Sequence, residues 1–207
     1  MAEKLMEKSC IEFADALAAK VSVPGGGGAA AYVGALGVAL GSMTANFTTG
    51  KKKYAEYEDD IQRILAEGDV IRARLIELVF EDAEAFEPLS KAYGIPKEDP
   101  TRGEVLEAAT KNALAAPLEM MRQIARAIEL LEELDVKGSR MLISDVACGA
   151  VMSAAAMRAA ALNVFINTKS LLDRDFAAQV EAEADELLAY VPRAKSVADE
   201  ITDSIRG

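Results

Sequence analysis

Histidine and tryptophan are absent from this chain of 207 residues, and cysteine occurs only twice. Without histidine there is no Ser-His-Asp or Cys-His nucleophile, no imidazole metal site and no histidine-containing zinc deaminase centre. Acid–base chemistry is left to carboxylates, lysines and tyrosines, or to water that they orient. Cys10 and Cys148 lie too far apart in sequence for a metal or redox motif, which fits a reduced, cytoplasmic setting. A net charge of −11 offers no basic stripe to neutralise phosphates, so nucleic acid is excluded as a partner. The start, Met1-Ala2-Glu3-Lys4, lacks the apolar centre of a signal peptide. Aromatic residues are scarce at 5% while 51% of residues are hydrophobic, mostly Ala, Leu and Val. Small apolar side chains in such excess suit closely packed helices better than a sheet.

The most distinctive stretch is Val23-Pro24-Gly25-Gly26-Gly27-Gly28-Ala29-Ala30-Ala31. Four glycines remove every Cβ and leave the backbone free to take φ > 0, and the alanines behind them favour helix. A helix starting there aims its unpaired N–H groups and positive dipole end at whatever approaches. The segment reads as a wall for a ligand, with a flexible interhelical linker as the alternative. It has neither the Lys-Ser/Thr ending of a P-loop nor a dinucleotide fingerprint.

No strand pattern appears along the chain. Helical periodicity predicts a short helix near Glu3–Lys20, a nearly all-apolar one over Ala29–Thr48, and a long charged one over Tyr54–Ala92. A fourth spans Arg102–Leu134 with a kink at Pro117; a second apolar helix spans Ser144–Leu171; the last, Asp175–Ile205, bends at Pro192. The expected architecture is an all-α bundle of five to six helices over residues 1–207, with two largely buried apolar helices. The Ala29–Thr48 segment approaches the length of a membrane span, but its Gly, Ala, Ser42, Thr44 and Asn46 content favours a buried bundle helix. Two helices apolar all round need more neighbours than one small bundle supplies, so a homodimer is expected.

Polar residues break the apolar stripes at telling places. Asp82 lies four after Leu78 and four before Phe86, on the buried stripe of its helix, whereas Glu81 and Glu84 fall to the flanks. Burying such a carboxylate costs several kcal/mol unless it is paired or functional. It reads either as a structural ion pair or cap, or as an acid–base group raised in pKa by a cleft. Asp145 stands at the start of the second apolar helix, where Ser144 or Asp145 is a candidate N-cap residue. Asn163 and Asn167 share a face one turn apart, and about 27 Å of helix separates Asp145 from Asn163. One small site within a subunit cannot use both, though a dimer can bring either end near the glycines. Arg158, midway, suits an ion pair across an interface. Lys51-Lys52-Lys53 is a basic knot in an acidic chain, either solvated or a holder for ligand carboxylates.

Taken together, Pro24–Ala31, Gly50-Lys51-Lys52-Lys53-Tyr54, Glu81-Asp82-Ala83-Glu84-Ala85-Phe86, Ser144-Asp145 and Leu162-Asn163-Val164-Phe165-Ile166-Asn167 resemble the cyclodeaminase/cyclohydrolase family. That family includes the C-terminal domain of formiminotransferase-cyclodeaminase, and the pieces cover nearly the whole chain in the right order. The resemblance implies an all-helical dimer acting on one-carbon derivatives of tetrahydrofolate, with no further cofactor and no metal. Bifunctional cyclodeaminases carry Ser after three glycines, where this chain has Gly28, and the Gly-Lys-Lys-Lys-Tyr run looks more like the stand-alone bacterial methenyltetrahydrofolate cyclohydrolases. On that resemblance, Asp82 is the expected base and Asp145 the second candidate, as its partner or as an anchor for polar edges of the pterin. Pro24, Gly25, Gly26, Gly27 and Gly28 would pack on the pterin ring, Lys51, Lys52 and Lys53 hold the glutamate tail, and Asn163 and Asn167 bond substrate. A cyclodeaminase releasing ammonia and a non-catalytic folate-binding helical dimer are the alternatives.

Overall fold

The structure is a computed structural model describing residues 5–207. Among these residues the order is α1 (Cys10–Ala18), α2 (Gly26–Asn46), α3 (Glu58–Tyr93), α4 (Arg102–Ala113), α5 (Ala115–Lys137), α6 (Ile143–Thr168), α7 (Arg174–Leu188) and α8 (Tyr190–Arg206), and no strand occurs. Short 3₁₀ turns at Lys52–Tyr57 and Arg140–Leu142 lead into α3 and α6. Helices α4 and α5 meet at Leu114, and α7 and α8 meet at Ala189, so the eight segments form six rods, as the periodicity predicts.

The two prolines do not break their helices where they stand. A proline lacks the N–H that would reach the carbonyl four residues back and clashes with it, so the break falls upstream. Pro117 interrupts at Leu114 and Pro192 at Ala189, leaving each proline in the first turn of the following helix. Pro88 lies inside α3, which continues to Tyr93 because Leu89 and Ala92 are buried against Ala109 and Ala113 of α4. The first helix is shorter than expected. Ser9 caps it through the backbone N–H of Glu12, with the Glu12 carboxylate closing back on the Ser9 N–H. The part of the expected helix at Glu3 and Lys4 lies outside the described residues.

Helix α2 is the centre, packed most extensively on α6 and α3. It runs antiparallel to both. Gly26 lies beside Asn163, Gly37 beside Ser153, and the Thr44 hydroxyl donates to the Leu142 carbonyl, while Gly27 lies against Asp82 and Ser42 against Gly68. Close approach explains the glycines at the α2–α6 crossing. A Cβ on Gly149 would stand 2.8 Å from the Gly37 carbonyl oxygen, and one on Gly37 would stand 3.0 Å from the Gly149 oxygen. Backbone cannot yield there as a side-chain tip can. Gly149→Ala is therefore expected to cost about 1–3 kcal/mol, read as a fall of several degrees in Tm; an unchanged Tm would show that the helices separate freely.

The two apolar helices fulfil expectation only in part. By length and composition alone, Gly26–Asn46 and Arg140–Thr168 are apolar enough to cross a membrane, yet 61% and 44% of their most apolar windows are buried inside the bundle. Their outer sides are not covered.

Candidate active site

The four glycines do not form a loop with φ > 0. Gly25 is the N-cap residue of α2, extended at φ −124° and ψ −162°, and Gly26, Gly27 and Gly28 are its first turn. Among the described residues only Gly50 and Gly207 have positive φ. What these glycines provide is the missing Cβ. At Gly27 a Cβ would come within 2.3 Å of Asp82 Oδ1 and 2.6 Å of Oδ2, so the carboxylate lies directly on the bare main chain. At Gly28 a Cβ would meet nothing closer than Val79 Cγ1 at 3.4 Å, an ordinary contact, and at Gly25 nothing within 4 Å.

Asp82 comes from the middle of α3, with Leu78, Val79 and Ala83 buried around it. As the stripe predicts, it is half-buried, whereas Glu81 and Glu84 are exposed and Glu81 is bonded to Arg74. Loss of water pushes the Asp82 carboxyl up to about 6, against the lowering effect of a hydrogen bond from the Gly28 N–H. A carboxylate at a helix N-terminus is normally favoured in its charged form. Here burial outweighs that. No ion pair holds the carboxylate among the described residues, so the structural ion-pair alternative falls away.

The third wall is α6. The Asn163 amide lies 3.6–3.7 Å from where a Gly26 Cβ would stand, and its Nδ2 donates to the Ala159 carbonyl at 2.8 Å. That bond orients the amide and leaves Oδ1 free as an acceptor. Asn167, half-buried, continues the same face one turn beyond the end of α2. Pro24 is buried, with its Cβ 3.8 Å from the position of a Gly28 Cβ, and closes the near side. No second subunit is needed to bring Asn163 to the glycines; antiparallel packing of α2 on α6 does so within one chain.

A cavity of 320 Å³ opens beside this cluster, lined by Ser22, Val23, Ala83, Glu84, Phe86, Glu87, Ser90 and Lys91. Val23, Ala83, Glu84 and Phe86 fall in stretches the sequence marks, but none of the eight is among the expected site residues. The signal was present in the spacing, since Asp82, Phe86 and Ser90 repeat every four residues on one face of α3. Lys91 pairs with Glu87 across its wall at 2.7 Å, which leaves Glu84 as the lining carboxylate without a basic partner on the cavity.

Two groups of expected site residues are elsewhere. Lys51, Lys52 and Lys53 follow the far end of α2, about 30 Å from the glycines by helix rise. There Lys51 Nζ donates to the Ser139 hydroxyl at 3.3 Å, and the Tyr54 hydroxyl accepts the Arg140 N–H at 3.0 Å. Asp145 lies at that same end, in the first turn of α6, one helical residue pattern away from the Leu142 carbonyl that meets Thr44. It is not the N-cap residue, a position taken by Leu142 without a side-chain bond. Within one chain, the structure brings together Pro24, Gly25–Gly28, Asp82 and Asn163 as a candidate site, with Asn167 at its edge, and places Asp145 and the lysines at the other end of α2.

Comparison with known proteins gives a consistent picture. A family profile described as formiminotransferase-cyclodeaminase matches residues 9–186. The chain is 41% identical over 181 residues to a methenyltetrahydrofolate cyclohydrolase of Methylorubrum extorquens, covering 86% of this chain and 87% of that one. It is 30% identical over 190 residues to the formimidoyltransferase-cyclodeaminase of Sus scrofa, covering 90% of this chain but only 35% of that longer protein. The crystal structure of a formiminotetrahydrofolate cyclodeaminase from Thermotoga maritima superposes with a TM-score of 0.90 at 31% identity, covering 98% of this chain and all of that one.

Proposed function

Since the chain belongs to the formiminotransferase-cyclodeaminase family, we propose that it is a folate one-carbon enzyme that reversibly hydrolyses 5,10-methenyltetrahydrofolate to 10-formyltetrahydrofolate. One observation carries the reading. A desolvated carboxylate without an ion-pair partner, Asp82, lies on side-chain-free backbone at a helix N-terminus beside an open cavity. The substrate carbon is a cationic amidinium, already electrophilic, so attack by water needs orientation and proton removal more than a metal.

The chemistry follows from the geometry. Asp82 lies close enough to the bare wall to stabilise the cation and to take a proton from water as its oxygen bonds the methenyl carbon. The resulting tetrahedral adduct collapses by breaking the bond to N5, which receives that proton back from Asp82. The hydroxyl formed by the water becomes the formyl oxygen and releases the net proton to solvent. A group near 6 can serve as base and then as acid near neutrality. The flat ring packs on Gly25–Gly28 against Pro24, and Asn163 Oδ1, with Asn167 beyond it, accepts from the ring's polar edge or orients the water. Tetrahydrofolate is itself the substrate, so no separate cofactor enters. The setting is cytoplasmic and the working form a homodimer paired through the uncovered α2–α6 side.

The pH dependence tests the base. Only the ionised carboxylate accepts a proton, so kcat/KM for hydrolysis is expected to rise about tenfold per pH unit below 6 and to level above it. A flat profile between pH 5 and 7 would remove Asp82 from that role.

The cyclodeaminase reading is favoured by the Thermotoga maritima structure and the Sus scrofa relative. Against it stand the higher identity to the Methylorubrum extorquens cyclohydrolase and the glycine at position 28, where bifunctional cyclodeaminases resemble one another in carrying Ser.

A further inference from the structure

Helices α3 and α6 both run past the start of α2. Asp82 lies on Gly27 and Asn163 beside Gly26, yet α3 continues to Tyr93, about 16 Å further, and α6 to Thr168. Helix α4 bridges the two overhangs. On one side its Ala109 and Ala113 pack on Leu89 and Ala92 of α3. On the other, Lys111 Nζ donates to Asp173 at 2.6 Å, and the Glu107 carboxylate accepts the backbone N–H groups of Leu172 and Asp173 at 2.8 and 3.1 Å. Helix α4 therefore crosses beyond the bare N-terminus of α2, while buried Pro24 closes the near side. A flat bicyclic ring reaches the half-buried Asp82 only past one of these walls.

The hairpin made by the end of α3 and α4 joins the bundle through a proline at each end. Pro88 has no N–H for the Glu84 carbonyl, and Pro117 has none for the Ala113 carbonyl, beside the break at Leu114. Between those joints the segment carries its own apolar cluster, Leu89, Ala92, Ala109 and Ala113, separate from the main core. Its connecting loop is tied within itself: Arg102 Nε donates to the Ile95 carbonyl at 2.9 Å, and Asp99 accepts the Thr101 N–H at 2.8 Å. The hairpin is thus built to move as one piece. What fastens it to the α6–α7 turn is polar and partly exposed. The Lys111 and Asp173 side chains are 33% and 44% exposed, and ion pairs in such settings contribute little. A unit with a small core of its own and weak fastenings opens at lower free energy than the bundle it rests on. Ser90 and Lys91, in the wall of the 320 Å³ cavity, lie beyond the Pro88 joint, so lifting the hairpin widens the cavity beside Asp82.

We propose that residues 88–113 form a lid that swings on the joints at Pro88 and Leu114, admits the ligand to the Asp82 cleft and closes over it, latched to the start of α7 by Lys111 and Glu107. That the ligand is a folate rests on the reading above; the motion does not.

A reversible lock tests it. Ala108 and Leu172 have exposed side chains beside the latch, so Ala108→Cys/Leu172→Cys, with Cys10→Ser and Cys148→Ser, can be bridged by a flexible, reducible bis-methanethiosulfonate. Relative to the same protein before bridging, kcat/KM for methenyltetrahydrofolate hydrolysis is expected to fall at least about tenfold and to return when a thiol reductant cuts the bridge. Spin labels on the same two cysteines give a readout that needs no substrate. Labelled chains are diluted with unlabelled ones, so that distances within one chain are read. Two distance populations are expected, and Lys111→Ala is expected to enlarge the longer one about threefold, as loss of a partly exposed ion pair allows. Full activity in protein verified as bridged, or a single distance that Lys111→Ala leaves unmoved, would overturn the lid. Failure of the folate reading looks different: no turnover before bridging or after reduction, with both distance populations present and still supporting the lid.

Discussion

Asp82→Asn is expected to lower kcat for methenyltetrahydrofolate hydrolysis by about 10²–10⁴-fold, the usual contribution of a positioned general base. The same substitution is expected to make the protein more stable at neutral pH. The Asp82 carboxyl sits at about 6 in the folded chain against 3.8 as its ordinary value, because burial disfavours its charge. Between those values the folded state binds more protons than the unfolded one, so stability falls as pH rises from about 4 to about 6. Asparagine keeps an oxygen to accept the Gly28 N–H and carries no charge to desolvate. The gain in stability at pH 8 has a ceiling of about 3 kcal/mol, reduced because water reaches this half-buried group. It should vanish below pH 4. A Tm that rises at pH 8 while activity disappears identifies a residue kept for chemistry. A Tm that falls would show that the carboxylate holds the fold together.

Gly27→Ala is expected to be nearly as damaging, although it adds one methyl group. Its Cβ would stand 2.3 Å from Asp82 Oδ1, and aspartate is too short to yield without leaving the Gly28 N–H. Displacing a catalytic group by about 1 Å is enough to cost about 10²-fold in rate. Gly28→Ala is the control. There the added Cβ meets Val79 Cγ1 at 3.4 Å and leaves Asp82 in place, so folding and kcat are expected to survive, with any loss of ring packing read in KM. The pair is read by steady-state kinetics with circular dichroism as the check on folding. Equal activity in both variants would contradict the contact between Asp82 and bare main chain.

Much of this architecture was legible because it is local. The apolar stripe of α3, from Ile61 to Leu89, has helical spacing over about eight turns, and it marked Asp82 as a carboxylate on the wrong face. The break positions at Leu114 and Ala189 were displaced from Pro117 and Pro192 because a proline acts on the carbonyl four residues before it. The start of α2 was hidden for a different reason. Glycine has poor intrinsic helix propensity, so Gly26–Gly28 read as loop, and the need for glycine arises from a residue 55 positions away. Register between helices is likewise not written in either one alone. That Asn163 meets Gly26, while Asp145 is carried to the other end, follows only from the antiparallel packing of α2 on α6. Lys51–Lys53 adjoin the same helix as the glycines in sequence, but a helix of 21 residues separates what sequence proximity suggested was together.

The decisive measurement is a direct assay of the two candidate substrates, following methenyl absorbance and free ammonia in parallel. Hydrolysis predicts that 5,10-methenyltetrahydrofolate absorbance decays faster with enzyme than without, that the acceleration is lost in Asp82→Asn, and that 5-formiminotetrahydrofolate yields no ammonia above background. Ammonia release with rising methenyl absorbance, and no accelerated decay of the methenyl form, would contradict it and make this chain a cyclodeaminase.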